Sequence, residues 1–203
     1  MESFFERVAH IWPAGRRDLH WHILPTPSEA RELAAYSDAF IRPGLQGVPV
    51  QGMHCTLLHA VGLAATDVDL DGLLADVTNY AQTVDPFALT FDRPAVGSVA
   101  VEVSGWPGAP FAKIVENLTH AMTRTDVPFT PAPSRYPHMS LAYTSCGAEA
   151  IEAVTLKTAL AAIASPLSGT VHVDRIHLVE QWHDGKHIAW ESIAEILLAG
   201  VTA

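Results

Sequence analysis

Two short cassettes constrain this chain more than any other feature: Met53-His54-Cys55-Thr56-Leu57 and Pro137-His138-Met139-Ser140-Leu141. Each sets a histidine and a hydroxyl two positions apart in an apolar run that reads as a β-strand, and side chains two apart on a strand leave the same face. Cys55 and Met139 then point the other way. The cassettes stand about eighty positions apart, so the chain reads as a duplicated unit whose halves each deliver one imidazole and one hydroxyl to a shared site. That combination suits acid–base chemistry on a phosphate ester.

The surrounding pattern is mixed α+β. Leu19, Trp21 and Ile23 alternate with His20 and His22 as a strand. Thr26-Pro27-Ser28-Glu29 then supplies a cap, a proline for the first turn and a capping-box glutamate, and Ala30, Leu33, Ala34, Phe40 and Ile41 continue at helical spacing up to Pro43-Gly44. Residues 43–52 read as a loop, and 53–59 as the first cassette strand. A helix opens near Asp67 and Asp69 and carries Leu70, Leu73, Leu74, Val77 and Ala81. Phe87 to Phe91 and Val99 to Val103 read as strands around a turn from Arg93-Pro94 to Gly97. A further helix covers about Pro110 to Thr125, and the Pro-rich stretch 128–137 reads as a loop into the second cassette. Beyond Cys146-Gly147 the pattern predicts a helix from Ala148 to Ile163, broken by Ser165-Pro166. Val171 to Trp182 and His187 to Leu197 then form a hairpin whose Asp184-Gly185 pair signals a type I′ turn. No interior linker marks independent units, so residues 1–203 are expected to form a single bilobal domain.

With 203 residues, 49% of them hydrophobic, the chain can bury a sizeable core. No run of 18 apolar residues appears, and the opening Met1-Glu2-Ser3-Phe4-Phe5-Glu6-Arg7 lacks the basic-then-apolar order of a signal peptide, which predicts a cytoplasmic protein without membrane attachment. Cys55 reads as a small buried side chain, so no disulfide framework is expected. The 12 basic against 22 acidic residues give a formal charge of −10 with no Lys/Arg-rich window. Long nucleic acids are held largely through clustered cations, so an extended RNA or DNA track is disfavoured and a small nucleotide or short RNA end is the expected partner, bound by a monomer.

The two motifs resemble those of the 2H phosphoesterase superfamily, whose members carry two His-x-Thr/Ser motifs in apolar strands at about this separation, and the proteins described as 2′-5′ RNA ligase-like look closest. The resemblance implies a bilobal α+β fold with two antiparallel sheets and flanking helices around a central groove. It implies His54 and His138 as the catalytic pair and Thr56 and Ser140 as phosphate-binding hydroxyls. Ser140 departs from the usual threonine but keeps the hydroxyl. The family cleaves or reseals phosphodiesters at ribose 2′ and 3′ oxygens, notably opening 2′,3′-cyclic phosphates, without a metal. The expected activity is therefore cyclic phosphodiester hydrolysis, with reversible 2′-5′ ligation or non-catalytic binding of a phosphorylated end as alternatives.

Five further residues are candidates for substrate contact. Tyr143 stands five residues after His138, where some relatives carry a basic phosphate-binding residue, and His59 stands in the matching place after His54. Strict alternation turns both away from the catalytic face unless a bulge re-aims them. Trp21 can stack on a base, as can Tyr136, although alternation with Leu19 and Ile23 favours the core for Trp21. Arg135, just upstream of the second cassette, can reach a phosphate. The remaining histidines are expected to be structural. His20-x-His22 and His183-x-x-x-His187 come nearest to metal-ligand spacing, but neither a His-Glu-x-x-His helix nor a Cys-x-x-Cys pair accompanies them, so no metal is expected. Gly-rich phosphate loops and a Gly-x-Ser-x-Gly elbow are also absent, and no cofactor is expected.

Overall fold

A computed structural model describes residues 1–37, 40–125, 127–163 and 167–201. Its strands sort into two antiparallel sheets. The first holds β1 (Asp18–Ile23), β3 (Cys55–Val61), β6 (Thr130–Pro133), β9 (Arg175–His183) and β10 (Ile188–Leu197), in the order β10-β9-β1-β3-β6. The second holds β2 (Leu45–Gly47), β4 (Phe87–Val96), β5 (Ala100–Trp106), β7 (His138–Thr144) and β8 (Gly169–Val173), in the order β2-β7-β5-β4-β8.

Both sheets follow one plan, with the cassette strand next to a short edge strand: β3 lies between β1 and β6, and β7 between β5 and β2. The edges are exchanged. β2 precedes the first cassette in sequence yet pairs with the strand of the second, Leu45 opposite Thr144. β6 precedes the second cassette yet pairs with the strand of the first, Ala60 opposite Pro131 and Leu58 opposite Pro133. Both stretches were expected to be loops. Pro131 and Pro133 lack an N–H to donate, and an edge strand is where a sheet accommodates them. β4 likewise runs through Pro94, because β8 covers it only from Phe87 to Phe91 and leaves the rest at an open edge.

The expected strand Val171–Trp182 is two strands in different sheets, β8 and β9, with the change at Asp174, whose carboxylate takes two hydrogen bonds from the Arg175 guanidinium at 2.8 and 3.0 Å. The β9–β10 hairpin forms, but its turn is not type I′. Asp184 accepts from the backbone N–H of Lys186 at 2.7 Å and of His187 at 2.6 Å, and only Gly185 has a positive φ.

The helices α1 (Phe4–Val8), α2 (Pro27–Ala34), α3 (Leu70–Ala81), α4 (Gly108–Thr123) and α5 (Ala153–Ala161) flank the sheets. The capping box of α2 is present, and Glu29 also accepts from the His172 backbone N–H on β8 at 2.9 Å, which docks the helix on the second sheet. α2 ends before the apolar run does: Phe40 is buried outside it and Ile41 is 57% exposed, while positions 38 and 39 lie outside the described residues. α3 starts at the Asp69 cap, and α4 buries Phe111, Ile114, Val115, Leu118 and Met122 as its periodicity predicts. α5 is shorter than expected because Ala148–Ala150 forms a separate 3₁₀ turn after left-handed Gly147; the break at Ser165-Pro166 lies outside the described residues. Trp21, Phe91, Phe111 and Leu57 are fully buried in one apolar cluster drawn from both sheets. Among the described residues no helix is long and apolar enough to cross a membrane.

Gly44 and Gly147 meet where β2 joins the second sheet. Gly44 has a φ of +82°, and a Cβ there would lie 2.7 Å from the Gly147 carbonyl carbon. Gly185 has a φ of +90° with open space around it. Gly185→Ala should therefore cost only the left-handed penalty of about 1 kcal/mol, whereas Gly44→Ala adds a backbone clash and should cost at least about 2 kcal/mol. Urea unfolding of the two variants checks this order, which equal losses would contradict.

Candidate active site

β3 and β7 depart from strict alternation at the same step. In β3, Thr56 pairs with His22 and Leu58 with Trp21, so Leu57 is an extra residue. In β7, Ser140 pairs with Glu102 and Ala142 with Val101, so Leu141 is extra. A bulge of this kind reverses the facing of every later side chain. Leu57, Leu58, Leu141 and Ala142 are consequently all buried, and His59 and Tyr143 turn to the same side as the cassette residues. The strict alternation that would hide them is broken in both strands.

One groove of about 360 Å³ collects these residues: His54, Thr56 and His59 from the first sheet, and His138, Ser140 and Tyr143 from the second. Hollows of about 440 and 520 Å³ elsewhere are lined by residues of α3, α4 and their flanks and include no histidine. The expected pairs His54/Thr56 and His138/Ser140 are thus brought together.

His54 is buried, and its Nδ1–H donates to the Gly52 carbonyl at 2.8 Å. A carbonyl only accepts, so this bond fixes the tautomer and leaves the Nε2 lone pair as the ring's basic site. Burial pushes the His54 pKa down to about 4; the Gly52 bond opposes the shift and the field of His138 adds to it. His138 is half-buried and donates Nδ1–H to the Tyr136 carbonyl at 3.1 Å, the same i to i−2 arrangement. Both rings therefore present Nε2 to the groove. Cys55, behind them, is buried and its thiol is pushed up to about 12 by desolvation, as suits a packing role.

His59 Nε2 donates to Asp18 Oδ2 at 2.8 Å, and the same carboxylate receives Arg16 through Nε at 2.8 Å and Nη2 at 2.7 Å. Burial alone would raise the Asp18 pKa, but the bonds from His59, Arg16 and the Gly62 N–H outweigh it and hold the group below its usual range. Tyr143 is raised to about 12, chiefly by desolvation, with the Ser140 hydroxyl opposing. It therefore meets the groove as a neutral phenol.

The other secondary candidates divide. Trp21 is fully buried in the core and does not line the groove, because the alternation that brings His20 to the groove turns the indole to the opposite face. Arg135 is exposed on the loop before β7 and does not line the groove either. Tyr136 is 44% exposed and its hydroxyl donates to Glu102 at 2.8 Å.

Two histidines read as purely structural instead underlie the site. His20 lines the groove and stacks on His59 with ring centroids 3.9 Å apart. His22 stacks on His54 at 4.6 Å, is fully buried, and neither of its ring nitrogens has a partner. The signal was their period-two spacing on β1, which pairs with β3 across the bulge, His20 opposite His59 and His22 opposite Thr56.

With this geometry in place, comparison with known proteins is decisive at the family level. A family model described as the 2′-5′ RNA ligase superfamily matches residues 25–185. The chain belongs to the 2′-5′ RNA ligase superfamily. No curated protein matches it. Among solved structures it is similar to E. coli LigT complexed with 3′-AMP, at 17% identity and a TM-score of 0.63, over 90% of this chain and 98% of that one. A protein of Thermus thermophilus matches at 20% identity and 0.63 over the same shares. A structure described as a phosphoesterase matches at 15% and 0.64, over 91% and 99%. At these identities the likeness is one of fold, and it agrees with the two-sheet architecture expected of this superfamily.

The buried imidazoles make stability depend on pH. The unfolded chain protonates His54 near 6.5, whereas the folded protein keeps it neutral down to about 4. Between those values the unfolded state binds more protons, so stability is complete above pH 6.5 and falls as pH drops toward 4. His54 alone accounts for about 3 kcal/mol of that loss, and His20 and His22 are shifted in the same direction by burial. Thermal melts from pH 7.5 to 4 should show a falling Tm, with a shallower fall for His54→Gln; parallel curves would contradict the assignment.

Proposed function

We propose that the protein is a metal-independent phosphodiesterase that opens 2′,3′-cyclic phosphates of small nucleotides or RNA ends. The observation that carries this reading is the pair of imidazoles from opposite sheets, each tied through Nδ1–H to a backbone carbonyl so that Nε2 is presented to one groove. Membership of the 2′-5′ RNA ligase superfamily supports it.

In hydrolysis, a water oxygen bonds to phosphorus while its proton passes to His54 Nε2, and the opposite phosphorus–ribose oxygen bond breaks. The departing oxygen takes the proton held by His138 Nε2, which leaves a phosphomonoester and a free hydroxyl. His54 suits the base because burial keeps it neutral; His138, half-exposed on the opposite sheet, is left as the acid. Thr56 and Ser140 hold the non-bridging oxygens as charge develops there. The two rings supply both proton transfers, so the step needs no Lewis acid. Ligation would follow the same path with the 5′-hydroxyl of a second end in place of water. The groove is lined, among the described residues, by no lysine or arginine, which favours hydrolysis of a small ester over capture of two RNA ends. E. coli LigT is known in complexes with 3′-AMP, NADP+ and ATP, which are nucleotides of that size.

Chelator-treated protein incubated with 2′,3′-cyclic nucleotides and 2′-5′-linked dinucleotides tests the reading. His54→Ala and His138→Ala should each lower turnover about 10²- to 10⁴-fold while the fold survives by circular dichroism. Activity undiminished in both variants would refute it. The rate of the native enzyme should follow a bell in pH, with the acid limb set by His54 at about 4.

A further inference from the structure

The groove has a wall that the two sheets do not build. Residues 2–16 run as a strap from one sheet to the other and bring Phe4, Val8, Ile11 and Trp12 to the groove beside His54 and His138. Its start is fastened to the second sheet: the Glu2 N–H donates to the Ser98 carbonyl at 3.0 Å and the Phe4 N–H to Thr144 Oγ1 at 3.0 Å. Its end is fastened to the first, where the Gly15 N–H donates to the His183 carbonyl and His183 Nε2–H to the Trp12 carbonyl, both at 2.8 Å. Phe4 packs against Tyr143, and Trp12 stands edge-on to His59. The strap lies outside the stretch, 25–185, that matches the superfamily model.

The character of this wall differs from that of the floor. Val8 is half-buried and Ile11 is 47% exposed, an apolar side chain left facing the solvent at the mouth of the groove. Among the described residues, the groove is lined by one carboxylate, that of Glu102, and by no lysine or arginine. A second or third phosphate would meet that carboxylate without a guanidinium or ammonium to offset it. The volume of about 360 Å³ lies at the small end of ligand pockets, enough for one ring system and one phosphate group.

We infer that the strap is the specificity wall of this site: Val8 and Ile11 receive the uncharged base of a mononucleotide-sized ester with one phosphate, and the strap closes that end against a continuing polyanionic chain. The inference rests on the phosphodiesterase reading and names the substrate class of the same groove. The base gains contact with apolar surface that is otherwise wet, and the phosphate falls between the two Nε2 atoms.

The test compares three probes: adenosine 2′,3′-cyclic phosphate, the base-free ribose 2,3-cyclic phosphate, and a tetranucleotide ending in a 2′,3′-cyclic phosphate. Native protein should show a kcat/KM for the mononucleotide at least tenfold above either of the others. Ile11→Asp and Val8→Asp should lower that value about tenfold, mainly through KM, and leave the base-free probe unchanged. Val154→Asp, at an exposed apolar position on α5 away from the groove, should change neither. A preference for the tetranucleotide, or equal losses on the base-free and base-bearing probes, would overturn the wall. If native protein turns over none of the three, the phosphodiesterase reading fails separately. Calorimetric binding of adenosine 2′-monophosphate and of ribose 5-phosphate to native and Ile11→Asp protein then decides the wall alone: tighter binding of the nucleotide, lost in the variant, upholds it, and indifference to the base removes it.

Discussion

One inserted residue in each cassette strand sets the chemistry of the groove. Without the bulges at Leu57 and Leu141, Leu58 and Ala142 would face the groove, and His59 and Tyr143 would be driven into the apolar core. Burying an imidazole and a phenol there without partners would cost several kcal/mol between them, and exposing Leu58 would forfeit about 2 kcal/mol of burial. With the bulges, every one of these side chains lands in the medium that suits it. The network of Asp18, Arg16 and His59 follows from the same step, since the carboxylate is reached only by a ring on the groove face. Because the bulge recurs in both strands, each cassette and its strand bring three polar side chains to the groove rather than two, and the duplication shows in geometry as well as in motif.

The site accepts a cost in stability to keep one ring unprotonated. His22 has two buried nitrogens with no partner, a deficit of about 1–3 kcal/mol for each group left unsatisfied. In that position it stacks on His54 with Trp190 edge-on to both rings, so the base is covered by neutral aromatic surface on the side away from the groove. A carboxylate in place of His22 would satisfy more hydrogen bonds, but it would pull His54 toward its protonated form and remove its capacity to accept a proton. Desolvation rather than a neighbouring cation thus holds His54 neutral, in an acidic protein whose groove is lined, among the described residues, by no lysine or arginine.

The sequence made the cassettes, the capping box of α2, the amphipathic faces of α3 and α4 and the buried Cys55 legible, because each is a local pattern whose physics acts within a few residues. What it concealed was relational. β2 and β6 are three and four residues long, contain glycine or proline, and become strands only because a partner strand from the other half lies alongside. The break at Asp174 is invisible in an unbroken apolar alternation, since the two strands differ only in the sheet that each one joins. The groove-facing orientation of the candidates His59 and Tyr143 was concealed for a different reason: the signal was present as adjacent buried positions, Leu57-Leu58 and Leu141-Ala142, but an aliphatic pair reads equally well as the end of a strand. His22 was marked only by its spacing from His20, and its role appears only through the His54 ring stacked against it.

These relational features also hold the groove to one width. An in-line proton exchange requires two rings from different sheets to keep their separation within a fraction of an ångström. Two sheets packed only through apolar side chains can slide, because dispersion contacts have little directional preference. Here each cassette strand is hydrogen-bonded to an edge strand that leads directly, within a few residues, into the other cassette: β2 runs toward His54, and β6 toward His138. A shift of one sheet therefore drags the histidine of the other. The strap adds a third crossing at the mouth, anchored at Thr144 and Ser98 on one side and at His183 on the other. Directional bonds that cross between the halves supply the rigidity that a duplicated fold with its site at the seam cannot draw from either half alone.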